Sequence, residues 1–262
     1  MTGELFDTAR ALRWLRQLKK NNDRVWFAEH REIYDEHVKP EWEDLVAALL
    51  VSAVRFDERF AYVDPRRCLF RLARDIRFRT DKTPFKTGVQ AWLSPFGKSG
   101  AYAGFYMRIS PGDSIFSAGI YTPEKPVLEA LRRRMGADPR PFDRILRAKA
   151  LVPYLPLRTN GLVRTPRGFP KEHPRGELIR ARNYLVRRTY SDAEITRRGA
   201  FAVFRAAIRD CAPLVRYIDG VAATALRPVQ DRLSSAAMRE PSDGWDENSS
   251  SDHFGPSSSA RF

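Results

Sequence analysis

The sequence predicts a single α+β domain, in which helices at both ends flank an antiparallel sheet of about four to six strands. Three observations carry this prediction. Apolar residues recur at helical spacing over the first part of the chain, switch to short extended runs punctuated by Gly, Pro and Ser, and return to helical spacing after Thr122. The linkers between the extended runs are too short for crossover helices, so neighbouring strands should be antiparallel. With 262 residues, 43% of them hydrophobic, the chain can bury a sizeable core.

Taken in order, Leu12, Leu15 and Leu18 form one face of a first helix. Asn21-Asn22-Asp23 stops it and caps a second helix carrying Trp26, Phe27, Ile33, Tyr34 and Val38. Pro40 opens a third, whose apolar side is Trp42, Leu45, Val46, Leu49 and Leu50. Four extended runs follow, CLFRLAR, VQAWLS, AGFYMRIS and SIFSAGIY, with Pro111-Gly112-Asp113 as a hairpin turn between the last two. Pro126 starts a helix through Leu128, Leu131 and Met135, and a shorter one follows Pro141. Residues 157–174 read as irregular and residues 177–186 as helical. Ser191 and Glu194 have the spacing of a capping box, and a long apolar-patterned helix from Ala200 to about Leu226 closes the domain. Residues 1–237 therefore read as the domain. Residues 238–262, Ser-rich, acidic and poor in aliphatic side chains, read as a disordered tail.

The net charge of +14 and pI near 10.2 point toward anionic partners, nucleic acid among them. Nine of the 46 cationic residues are lysines, and an arginine skew of that kind also arises from genome base composition. No window approaches the roughly 18 apolar residues of a membrane span, and the N-terminus lacks an export signal. Cys68 and Cys211 lie far apart, without metal-type spacing or the density of a disulfide scaffold. The expectation is a cytoplasmic protein with no membrane partner, no metal and no cofactor.

The segment FRLARDIRFRTDKTPFKT, residues 70–87, is the strongest candidate for a site. Read as a strand to Phe78, it places Phe70, Leu72, Ile76 and Phe78 on one face together with Arg74, and Arg71, Asp75, Arg77 and Arg79 on the other. A guanidinium on an apolar face needs a carboxylate, carbonyls or a bound anion. Either a ligand or an internal ion pair would meet that need, and a bulge could turn Arg74 outward. Pro84 prevents the next residues from continuing as a central strand. A loop bearing Lys82, Thr83 and Lys86 would complete an anion cradle with Arg71, Arg74 and Arg77, whose guanidinium forks suit phosphate or carboxylate, while Asp75 and Asp81 orient them. Arg164 and His173, in RTPRGFPKEHP, could close the site, with His173 or Asp81 as acid or base. The alternative for His173 is a loop histidine bonded to backbone. Gly97-Lys98-Ser99 lacks the first glycine of a phosphate loop, and no dinucleotide fingerprint, nucleophile elbow, zinc spacing or calcium loop occurs.

The segments LKKNNDRVWF (18–27), FRLARDIRFRTDKTPFKT (70–87), GFYMRIS (104–110), AGIYTP (118–123) and RTPRGFPKEHP (164–174) together resemble the bacterial and fungal family called domain of unknown function 2461. The resemblance spans about residues 5–226. It departs at Phe85, where tyrosine is expected, at Ala118, where a second glycine often stands, and at Glu172, where aspartate usually precedes His-Pro. The resemblance implies a single α+β domain and implies no reaction, ligand or catalytic residue; Phe85, lacking a phenol, is given no catalytic role.

Three readings of function follow. The first is a basic pocket for a small anionic ligand, phosphorylated or carboxylated, which would extend to a metal-independent enzyme if His173, Asp81 and Lys82 converge. The second is a non-catalytic nucleic-acid or nucleotide-binding module using Phe78, Trp92, Phe105 or Tyr106 for stacking. The third is a protein-interaction scaffold.

Overall fold

The computed structural model describes residues 5–78, 80–95 and 102–237, with side chains as far as Leu226. One compact unit covers Met1–Leu226; the second, Arg227–Phe262, is described only to Ala237, where it is helical. The expected tail at 238–262 lies outside the described residues.

The N-terminal helices form where spacing and caps predict them. Asp7 accepts the Arg10 amide at 2.8 Å to start α1 (Thr8–Lys20), which buries Leu12, Leu15 and Leu18. Asp23 accepts the Trp26 amide at 2.9 Å to start α2 (Arg24–Ile33). Pro40 stands at the start of a third helix as expected, but no break separates that helix from the second. The chain passes from α2 through a π-helical turn, Tyr34–Val38, directly into α3 (Lys39–Val54), with Pro40 in its first turn. Proline lacks an amide proton, and the widened turn accommodates that loss without ending the helix. A single turn, α4 (Pro65–Cys68), follows.

The sheet has four strands in the order β1 (Val89–Leu93), β2 (Gly104–Ile109), β3 (Ser114–Ile120) and β4 (Tyr184–Tyr190), each pair antiparallel. Between β2 and β3 the Asp113 amide bonds the Ser110 carbonyl at 3.0 Å, and Gly112 takes φ +77° in the predicted turn. Two expectations are corrected. CLFRLAR is not a strand of this sheet: it makes only isolated bridges, Leu69 with Ala91 and Ala73 with Phe85, and Phe78 is 95% exposed instead of sharing an apolar face. The helix expected over 177–186 is one turn, α7 (Gly176–Ile179), after which Tyr184–Tyr190 becomes β4. Its alternating YLVRRTY pattern suits a strand, and β3, more than sixty residues earlier, supplies the missing ladder.

Helices α5 (Lys125–Ala137), α6 (Arg140–Leu146), α8 (Asp192–Arg198) and α9 (Ala200–Ala237) complete the described chain. Ser191 caps α8 by accepting the Glu194 amide at 3.1 Å, but the Glu194 carboxylate turns to Arg188 at 2.8 Å, so only half of the capping box is made. One sheet face, with Phe105, Met107, Phe116, Ala118, Val186 and Tyr190, is buried in the core. Phe204 of α9 joins the layers, with ring centroids 6.5 Å from Trp42 in α3, 6.2 Å from Phe116 in β3 and 6.4 Å from Tyr190 in β4. Among the described residues no helix is long and apolar enough to cross a membrane.

Candidate functional site

Alternation along the strands sends a second set of side chains to the face away from the core. Gln90 and Trp92 of β1, Tyr106 and Arg108 of β2, Ile115 and Ser117 of β3, and Leu185 and Arg187 of β4 all line one cavity of about 840 Å³. The register sets Trp92, Tyr106, Ser117 and Arg187 in one row across all four strands, with Arg108 opposite Ile115 in the next. Ile115 is buried there yet lies outside the core cluster.

Glycine shapes the floor of this cavity. A Cβ on Gly104 would come within 2.9 Å of the Trp92 ring, so the bare backbone lets the indole rest against β2. Phe70 stands edge-on to Tyr106 with centroids 6.2 Å apart, and burial pushes the Tyr106 phenol above its ordinary pKa. At the β2–β3 turn, Arg108 donates to the Asp113 carbonyl at 3.1 and 3.2 Å and also binds its carboxylate, whose other oxygen lies 3.6 Å from Arg187. Two cations thus share one anion. Beyond β4, Arg158 pairs with Leu185 through both backbone groups, at 2.7 and 3.0 Å. Buried Asn183 holds that loop: with its amide nitrogen turned to the loop it donates to the Arg158 and Thr159 carbonyls at 2.9 and 3.1 Å, and its oxygen accepts from Asn160 at 3.0 Å. Arg158 and Asn160 are thereby presented at the cavity wall.

The residues singled out by sequence lie mostly elsewhere. Residues 70–86 fold back on themselves, the Arg74 amide bonding the Pro84 carbonyl and the Lys86 amide the Leu72 carbonyl, both at 2.8 Å. Arg74 meets Asp81 at 2.6 Å and also the Thr83 hydroxyl, the internal-partner alternative. The Thr83 amide, 2.9 Å away, and then the Arg74 guanidinium hold the Asp81 carboxyl down at about 2. Arg77 forks onto Asp75 at 3.0 and 2.8 Å in the open. Lys82 donates to the Ile76 carbonyl at 3.0 Å and Lys86 to the Arg71 carbonyl at 2.7 Å; Arg71 is exposed, and Arg79 lies outside the described residues. His173 accepts the Arg175 amide at 3.1 Å, as a backbone-bonded loop histidine would, and Arg164 is exposed. Of the described residues in the 70–87 segment only Phe70 lines the sheet-face cavity; Asp81, Lys82, Arg164 and His173 do not. Of the four stacking candidates, Trp92 and Tyr106 line it, Phe105 is core and Phe78 is exposed away from it.

Sequence reasoning missed Arg108, Arg158, Asn160, Asn183 and Arg187. A signal existed in AGFYMRIS, where Tyr106 and Arg108 alternate with Phe105, Met107 and Ile109 and so mark a polar, aromatic-bearing second face. Behind cavity-lining Tyr102, the buried Asp219 of α9 accepts the Ala103 amide at 2.7 Å and lies 3.4 Å from Arg59, which is itself held by Asp57. Burial pushes the Asp219 carboxyl up to about 7 against the pull of those donors. Among the described residues no cluster of His, Cys, Asp or Glu could hold a metal ion.

No curated protein and no solved structure matches the chain. The family described as conserved hypothetical protein (DUF2461) matches residues 10–217, a span containing the whole sheet and every residue lining its open-face cavity, and the chain belongs to that family.

Proposed function

We propose that this chain is a basic cytoplasmic protein that binds a small anionic ligand, phosphorylated or carboxylated, on the open face of its sheet. The observation that carries the reading is the row Trp92, Tyr106, Ser117 and Arg187 across the floor of an 840 Å³ cavity, with Arg108 beside it. Cavities of this size suit small molecules, and a few polar groups on an apolar floor fix their orientation. Arginine receives phosphate or carboxylate in bidentate fashion. The net charge of +14 favours encounter with anions, and only two cysteines, Cys68 and Cys211, far apart in sequence, suit a reducing compartment.

Binding is better supported than turnover. Among the described residues the lining offers guanidinium, amide, hydroxyl and phenol groups, and the one carboxylate there, Asp113, is engaged by two arginines. An extended nucleic-acid track has less support, since Phe105 is in the core and Phe78 stands on the separate folded-back segment.

A thermal-shift screen of phosphorylated metabolites, carboxylates and short oligonucleotides tests this, with wild type beside Arg187→Ala and Lys82→Ala. A ligand at 100 times its Kd stabilises the native state by about 2.7 kcal/mol. The expected result is a small anion that shifts wild type and Lys82→Ala but not Arg187→Ala. A shift lost in Lys82→Ala and kept in Arg187→Ala would move the site to the 70–87 segment.

A further inference from the structure

We propose that the ligand of the sheet face is a nucleoside phosphate, its base lying on Trp92 and Tyr106 and its phosphate received by Arg187 and Arg158. The proposal rests on the anion-binding reading and adds the ring to it. The cavity is polarised across the strands. Phe70, Trp92, Tyr102 and Tyr106 gather at the β1–β2 end, where the one cation among the described residues, Arg108, is turned onto Asp113, while Arg187 and Arg158 stand at β4 and just beyond it, with Tyr121 following β3. Because Trp92 and Arg187 end the same four-strand row, they are three strand spacings of roughly 4.8 Å apart, about 14 Å between backbones. A bare phosphate or a short carboxylate would occupy the arginine end alone and leave the aromatic end in water. A base, sugar and phosphate joined in that order fill the distance between the two side chains.

The details of the row suit each part. Gly104 supports one side of the Trp92 indole, and the ring still lines the cavity, so a flat π face is available to a base. Phe70, edge-on to Tyr106, borders the same end. Ser117 places a hydroxyl between the aromatic and cationic ends, where a sugar would lie. At the β2–β3 turn Asp113 is bound mainly by Arg108 and stands 3.6 Å from Arg187. The Asn183 amide fixes the backbone of Arg158 and Thr159, which sets Arg158 beside Leu185 on the wall.

The test is calorimetric titration of the full chain with the four common nucleoside monophosphates, the corresponding nucleosides, inorganic pyrophosphate and an oligothymidine. Wild type, Trp92→Ala, Trp92→Leu and the double variant Arg158→Ala/Arg187→Ala are compared, each checked for fold by circular dichroism. At least one nucleotide should bind tenfold or more tighter than both its nucleoside and pyrophosphate. Trp92→Ala should weaken that nucleotide tenfold or more and leave pyrophosphate unchanged, and the arginine double variant should weaken both. Trp92→Leu, which keeps apolar bulk without a π face, should behave as Trp92→Ala does and serves if the alanine variant unfolds. Pyrophosphate binding as tightly as any nucleotide would overturn this proposal while sparing the anion-binding reading; no binding by any probe would overturn this proposal and the phosphate half of that reading, leaving only a carboxylate for the sheet face. Affinity rising with oligothymidine length beyond that of any mononucleotide would also overturn it, in favour of a nucleic-acid partner.

Discussion

Gly119 takes φ +127°, and a Cβ placed on it would stand 2.0 Å from the Tyr184 carbonyl oxygen. Two costs coincide there, a backbone conformation that L-residues rarely adopt and a clash with the neighbouring strand. Gly112 also has positive φ, +77°, but nothing lies within 4 Å of its would-be Cβ. Gly119→Ala should therefore cost about 2–4 kcal/mol and Gly112→Ala about 1 kcal/mol in urea denaturation. Equal losses at the two sites would show that conformation alone, and not the approach of β4, decides the position. Arg74 makes a related point. Its expected place on an apolar strand face predicts a need for a partner, but that partner, Asp81, comes within reach only because the chain folds back on itself.

At the scale of elements, the described residues of the folded-back segment 70–86 are held mainly by polar contacts, with Phe85 stacked on Phe27. Two backbone bonds join its arms, Arg74 ties Asp81 and Thr83, and Asn22 fastens Phe85 by accepting its amide at 3.1 Å and donating to its carbonyl at 2.9 Å. In sequence Asn22 reads as part of a helix stop, and no local pattern reveals its pairing with a residue 63 positions away. Arg74→Ala and Asn22→Ala should each speed hydrogen exchange at the Arg74 and Lys86 amides by about tenfold, the equivalent of a local loss near 1.4 kcal/mol, while amides in β2 and β3 keep their protection. Exchange that accelerates equally across the sheet would mean that this segment opens only when the whole unit unfolds. The β4 element shows the opposite balance: seven residues in an alternating pattern become a strand once β3 offers a full ladder, despite a helical reading of the preceding residues.

For the whole molecule, Asp219 links α9 to the start of β2 and couples folding to pH. Its carboxyl ordinarily titrates near 3.8, and burial raises it to about 7 in the folded chain. Between those values the folded state keeps a proton that the unfolded state releases, so this group makes stability fall as pH rises from about 4 to about 7 and adds no slope above that. Asp81, held near 2, acts with the opposite sign: its contribution is present above the ordinary carboxylate range and is lost as pH falls toward 2. Asp219→Asn keeps an acceptor for the Ala103 amide and removes the titration. Relative to wild type the variant should gain stability between pH 4.5 and pH 8, on the order of a few kcal/mol, in chemical denaturation at both values. A constant difference across that range would show that Asp219 is already ionised at acid pH.

The sequence by itself determined the α+β class, the N-terminal helices with the Asp23 cap between them, the hairpin turn at Gly112, and the helices at Pro126, Pro141, Ser191 and Ala200. Each rests on interactions between residues a few positions apart, and local periodicity and capping chemistry report those directly. It also marked residues 70–87 as unusual, because charge and aromatic content can be read without knowing who pairs with whom. Only the tertiary structure decided that the loop cations bind their own carbonyls and carboxylates, that Tyr184–Tyr190 is the fourth strand, and that Trp92, Tyr106, Ser117 and Arg187 share one row. Those facts depend on strand register, which joins residues as much as 95 positions apart in sequence, from Trp92 to Arg187. The tight turn fixes the register of β2 on β3, but that of β4 on β3 depends on which hydrophobic face is buried when two distant segments meet, and that is decided only in the assembled sheet.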